Sequence, residues 1–181
     1  GYIYAILFHR VYREKYIDFL KIDFPKIPFV KDKEIFLSLS SLGSKLSALH
    51  LLKSDELDSS VGEPLYADVK NPIIEQSKYI HRDIFVNSSL HFKNVDPKVW
   101  EYKIGGYQVL DKYLKSHKGE EIDYEHFQKI IAILYKSLET EEQISRIDIG
   151  VYKWIFSKMT SSIEKIQLSI LPHLYKTHRN P

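Results

Sequence analysis

A chain of 181 residues is long enough for one domain or two small lobes, and folding at this size buries roughly 70 % of the surface an extended chain exposes. With 44 % hydrophobic and 28 % charged residues, its composition is that of a globular protein and excludes wholesale disorder. A formal net charge of +2 excludes a uniformly basic nucleic-acid binder, so any surface for DNA has to be a local patch. The lack of cysteine excludes disulfides, thiolate metal sites and a cysteine nucleophile, and predicts an intracellular, cytoplasmic setting. Charge interrupts every apolar run before the ~20 residues a membrane span needs, which predicts no membrane partner.

In chain order, Ile3, Ile6, Leu7, Val11, Tyr16 and Leu20 recur at helical spacing, predicting one amphipathic helix from Tyr2 to Leu20. It starts with only Gly1 before it and no capping side chain, as expected of a piece cut from a longer polypeptide. Pro25 and Pro28 end it in an extended link. A second helix is predicted over Lys33 to Lys53, buried along Leu39, Leu42, Leu46 and Leu49, with Gly43 letting the two helices approach closely. Ser54 to Gly62 is polar and acidic and reads as a linker.

Tyr79–Val86 and Leu90–Val95 are β-prone runs joined by Asn87-Ser88-Ser89, a predicted hairpin. Asp96-Pro97 supplies an N-cap and a first-turn proline, and Glu101 to Ile104 is expected to be extended. After Gly105-Gly106 a helix is predicted from Tyr107, ending at Gly119. Asp123 caps a longer one carrying Phe127, Ile130, Ile131, Leu134 and Leu138, and a last helix is predicted over Val151 to Leu171, stopped by Pro172. The expected fold class is α+β, with helical N-terminal and C-terminal parts flanking a small antiparallel β region. Its divisions are a helical segment over 1–55, a lobe over 60–148 and a helical tail over 149–181.

Sequence motifs for nucleotide or methyl-donor binding are lacking, and the eight histidines show no i, i+4 pair with a flanking Glu. Asp83 with Glu101-Tyr102-Lys103 resembles the two carboxylates and lysine of a metal-dependent nuclease, a short pattern that chance produces easily. No catalytic residue and no metal ligand is assigned. The segment Tyr79 to Lys118 offers more. Lys93, Lys98, Lys103, Lys112, Lys115 and Lys118 can neutralise phosphates, and Arg82, Asn87 and Asn94 can read base edges. Tyr107 stands among them, interleaved with Tyr79, Trp100, Tyr102 and Tyr113. The same residues are also compatible with a partly basic surface over an aromatic core. A helical interaction or scaffold module without DNA contact, and the nuclease, stay open as alternatives.

Tyr2-Ile-Tyr-Ala-Ile-Leu7, Tyr12-Arg-Glu-Lys-Tyr16, Asp23-Phe-Pro-Lys-Ile-Pro28 and Leu49-His-Leu-Leu52 resemble the C-terminal specificity region of single-chain type ISP restriction-modification enzymes. Val99-Trp-Glu-Tyr-Lys-Ile-Gly-Gly-Tyr-Gln-Val-Leu110 looks like that family's Trp-x-aromatic-basic-Ile-Gly-Gly-Tyr signature. The resemblance covers about residues 2 to 148, while Pro64 to Asn94 matches in outline and the remainder not at all. It implies a sequence-specific, target-recognition region that grips double-stranded DNA for an N6-adenine methyltransferase lying upstream in the same polypeptide, to which residues 1–55 would link. It also implies S-adenosylmethionine, and possibly ATP and Mg, in the parent enzyme, with no cofactor in this chain. Presentation of the adenine would be by base flipping into another domain.

Overall fold

The computed structural model describes residues 1–22, 24–54 and 72–150. All but Ser54 of the predicted linker, and the predicted helix over Val151 to Leu171, lie outside those residues. The described chain runs α1 (Tyr2–Phe8), α2 (Arg10–Ile22), α3 (Lys33–His50), β1 (Lys78–Ile80), β2 (Asp83–Phe85), β3 (His91–Phe92) and α4 (Pro97–Trp100). It continues with β4 (Lys103–Ile104), β5 (Tyr107–Gln108), α5 (Val109–Ser116) and α6 (Tyr124–Ser145). The class is α+β, as expected.

The first predicted helix is two. The chain breaks at His9, which is extended at φ −69°, ψ 117°. No proline or glycine marks the break. It is held from across the fold, by the His9 Nε2 contact to the Ile147 carbonyl at 2.9 Å and by Arg10 N–H donating to Ser145 Oγ at 3.1 Å. α3 starts where Asp32 Oδ1 accepts from Glu34 N and Ile35 N, and it stops at His50, three residues before the predicted end. The close approach expected at Gly43 is present: a Cβ there would lie 2.1 Å from the Gly1 carbonyl oxygen and 2.8 Å from Ala5 N. No side chain larger than hydrogen fits between α1 and α3 without moving backbone. The proline link is tied back by Tyr2, whose hydroxyl donates to the Pro28 carbonyl at 2.7 Å and accepts from Val30 N at 3.0 Å.

The predicted hairpin is a three-stranded antiparallel sheet in the order β1-β2-β3. The run Tyr79 to Val86 folds on itself at His81-Arg82, both left-handed at φ 51° and 72°, the pattern of a type I′ turn. Tyr79 pairs with Ile84, and Ile84 with Phe92. Gly105-Gly106 do not lead straight into a helix. These two glycines close a hairpin of β4 on β5, with Lys103 opposite Gln108 and Ile104 opposite Tyr107, so the following helix begins at Val109 rather than Tyr107. Gly105 at φ 62° supplies the left-handed first turn residue.

Two cores organise the described residues. One gathers Ile84, Phe92, Val99, Leu110, Phe127 and Leu134 among others, under the sheet, α4, α5 and the first half of α6. The other joins Ala5, Ile6, Tyr12, Leu39 and Leu46 to Ile144 at the far end of α6. Each fully buried aliphatic or aromatic side chain is worth about 1.5–3 kcal/mol relative to exposure. α6 belongs to both.

Candidate nucleic-acid interface

The basic residues of Tyr79 to Lys118 fall into separate groups. The His81-Arg82 turn brings Arg82 beside the end of β3: Val95 N–H donates to the Arg82 carbonyl at 2.7 Å, and Asn94 N–H donates to Asp83 Oδ1 at 3.0 Å. Arg82 is exposed and faces Asp96 Oδ2 at 3.7 Å. Lys93 and Asn94 are exposed next to it, Asn94 with φ 57°. Asp83 also lies 3.8 Å from His91 Nε2, so its carboxylate is engaged within the sheet.

A second group stands on β4, β5 and α5. Lys103 is exposed on β4, Tyr107 is 67 % exposed on β5, and Lys112 Nζ lies 5.6 Å from the Tyr107 ring centroid, within cation–π range. One turn further along α5, Lys115 is held 2.8 Å from Asp111, and Lys118 follows the helix as an exposed turn residue. Among the described residues, Lys93, Lys103, Lys112 and Lys118 have no acidic partner.

Two predicted contacts are placed elsewhere. Asn87 is completely buried: its Nδ2 donates to the Ile73 carbonyl at 2.9 Å, and its Oδ1 accepts from Ser89 N, Ser89 Oγ and Leu90 N. It shapes the β2–β3 loop and offers no edge to a partner. Lys98 is exposed but lines a groove of about 690 Å³ between α2, α4 and α6, with Arg10 and Arg13 on the opposite wall. The elements that carry the two groups are linked at their bases. Tyr79 of β1 stacks on Trp100 of α4, centroids 5.2 Å apart and planes 9° apart, and its hydroxyl donates to the Val95 carbonyl at 2.7 Å. Asp96 Oδ1 caps α4 through Lys98 N at 2.8 Å, as its Asp-Pro pair predicts.

Sequence reasoning missed the polar chain beneath. Tyr102, buried to 6 % exposure, donates its hydroxyl hydrogen to Glu141 Oε1. Its oxygen can then only accept from His50 Nε2, 3.0 Å away, which fixes the hydrogen on Nε2 and leaves Nδ1 to accept from the Tyr4 hydroxyl at 2.6 Å. Burial lowers the His50 pKa and so keeps the ring neutral. Burial also raises those of Tyr102 and Glu141, the latter opposed by the Tyr102 hydrogen bond and the Arg13 charge. The only sequence signal was a set of polar residues on otherwise apolar elements.

The family model for the type ISP C-terminal specificity domain matches residues 1–146. The chain belongs to that family. Three solved structures are similar in fold. The ATP-dependent type ISP restriction-modification enzyme LlaBIII bound to DNA matches with a TM-score of 0.61 and 20 % identity over 81 % of this chain. A nuclease-deletion mutant of the type ISP restriction-modification enzyme LlaGI, in complex with a DNA substrate mimic, gives 0.59 and 21 % over 81 %. A cryoEM structure of a DrdV–DNA complex gives 0.59 and 22 % over 81 %. The specificity domain spans 11 %, 13 % and 17 % of the length of those three chains. No curated protein is detectably similar to it in sequence.

Proposed function

We propose that this specificity domain is the target-recognition unit of a type ISP restriction-modification enzyme, holding double-stranded DNA by its sequence so that an adenine-N6 methyltransferase in the same polypeptide receives one target adenine. The observation that carries the reading is that a type ISP specificity domain bears acid-free lysines in two groups, Lys93 next to Arg82 and Asn94, and Lys103, Lys112 and Lys118 along β4 and α5 and just after it. Lysines of this kind release counterions from phosphates, while Arg82 and Asn94 carry the donor and acceptor geometry that distinguishes base edges. In this reading S-adenosylmethionine, ATP and Mg²⁺ belong to other parts of the enzyme. Among the described residues no three His, Asp or Glu side chains converge as a metal-binding set. Residues 1–55 would face the methyltransferase, which the exposed Ile3, Ile17 and Ile22 of α1 and α2 support.

Fluorescence anisotropy of the 181-residue chain on labelled duplexes of varied sequence tests the reading. With four or five phosphates neutralised, affinity is expected to fall on the order of 10²- to 10³-fold between about 50 and about 200 mM salt. Lack of salt-dependent binding to every duplex would remove the proposal.

A further inference from the structure

The β4–β5 hairpin has a form that phosphate contact alone does not explain. Ile104 and Tyr107 are directly opposed across the pair and so share one face. Both are exposed, at 44 % and 67 %. The turn that carries them stands clear of the fold, since a Cβ on Gly105 or Gly106 would meet nothing within 4 Å. Its base is fixed. Val109 N–H donates to the Tyr102 carbonyl at 3.0 Å, Gln108 Nε2 donates to the Trp100 carbonyl, Trp100 is stacked on Tyr79, and Tyr102 is buried in the Tyr–His–Tyr–Glu chain.

We propose that Ile104 and Tyr107 form an apolar wedge that enters duplex DNA at one base step, with Lys103 and Lys112 on the flanking phosphates. The juxtaposition of an aliphatic and an aromatic side chain on a projecting tip with a fixed base matches the chemistry by which inserted residues unstack and kink a duplex. Tyr107 presents a ring face on which a base can stack, and Lys112 lies near that ring. Charge favours a polyanion as occupant: the tip is flanked by Lys103 and Lys112, neither with an acidic partner among the described residues. Two side chains also fall far short of the roughly 800 Å² per partner that a stable protein interface uses. The inference rests on the proposed DNA-reading function and adds which residues distort the duplex.

The test uses the 181-residue chain and a pool of 30-bp duplexes with a randomised centre, enriched on the wild-type chain and then labelled with 2-aminopurine at successive positions. The wild-type chain is expected to raise 2-aminopurine emission about threefold or more at one step. The double variant Ile104→Ala, Tyr107→Ala is expected to lose that rise and bind about tenfold more weakly, with an unchanged salt slope and an unchanged melting curve. The double variant Lys103→Ala, Lys112→Ala is expected to keep the rise and lose about two charges from the salt slope. Salt-dependent binding with no rise at any position, or a rise that survives removal of both apolar side chains, overturns the wedge and leaves the DNA-reading function standing. No salt-dependent enrichment of the pool overturns both.

Discussion

Arg82 occupies a backbone conformation that costs an L-residue roughly 1–2 kcal/mol, at φ 72° beside His81 at 51°. Glycine would remove that cost, and the turn's surroundings leave the side chain exposed. A position that keeps a long cation under backbone strain invites a functional explanation. Arg82→Gly is expected to be more stable than Arg82→Ala by about 1 kcal/mol, because only glycine relieves the left-handed residue. The two variants should lose DNA affinity equally, as both lack the guanidinium. Thermal unfolding beside anisotropy titration separates the two effects, and retention of wild-type affinity by both would take Arg82 out of the interface. At this scale the sequence revealed residue types but not their placement. Arg82 and Asn87 are equally good base readers on paper, yet Asn87 is drawn into the β2–β3 loop by the unpaired Ser89 and Leu90 amides that a tight loop leaves behind.

Elements announced by local chemistry were legible. α4 and α6 begin at Asp96 and Asp123, whose carboxylates accept from Lys98 N and His126 N as N-cap residues do. Elements set by contacts between distant segments were not legible: the α1–α2 break depends on Ile147 and Ser145, more than 130 residues away, and the β4–β5 pair overrides a helical pattern that starts at Tyr107. The Tyr4–His50–Tyr102–Glu141 chain is of the same kind, joining α1, α3, the α4–β4 connection and α6. Tyr102→Phe would strand both the Glu141 carboxylate and the His50 Nε2 hydrogen, for an expected loss of about 2–4 kcal/mol. Tyr4→Phe removes only the terminal donor and should cost about 1 kcal/mol. Urea denaturation of the two variants measures the difference, and equal small losses would show that the chain contributes little.

For the molecule as a whole, acid sensitivity follows from its buried imidazoles. Burial lowers the pKa of His9 from 6.5 despite the Ile147 hydrogen bond and the nearby Asp148, and it lowers that of His50 as well. Unfolded histidines take up protons near pH 6.5 that the folded chain refuses, so their stabilisation is complete above that pH and declines as pH falls from 6.5 through the folded values. Glu141 has the opposite sign: its raised pKa gives the folded chain a proton first, offsetting part of the decline as pH approaches 4.5. Denaturation midpoints at pH 7.5, 6.5 and 5.5 should fall in that order, and His50→Gln should flatten the profile; a level wild-type profile would contradict the assignment. Fold class and family were visible in the sequence because helical periodicity and the Trp100 to Leu110 motif are continuous in the chain. The layout of the proposed interface was not, since Lys93 follows one strand pair and Lys103 stands on another, linked through the Tyr79–Trp100 stack.

α6 places Phe127 and Leu134 in one core and Ile144 in the other. A helix shared in this way leaves little room for either half to open alone, because exposing one set of its side chains loosens the support of the other. Slow hydrogen exchange should therefore concentrate in the middle of α6, and the regions that breathe first should be those it does not underlie, the β4–β5 tip and the His81-Arg82 turn. The parts best placed to adapt to a partner are then also those whose local opening leaves both cores intact.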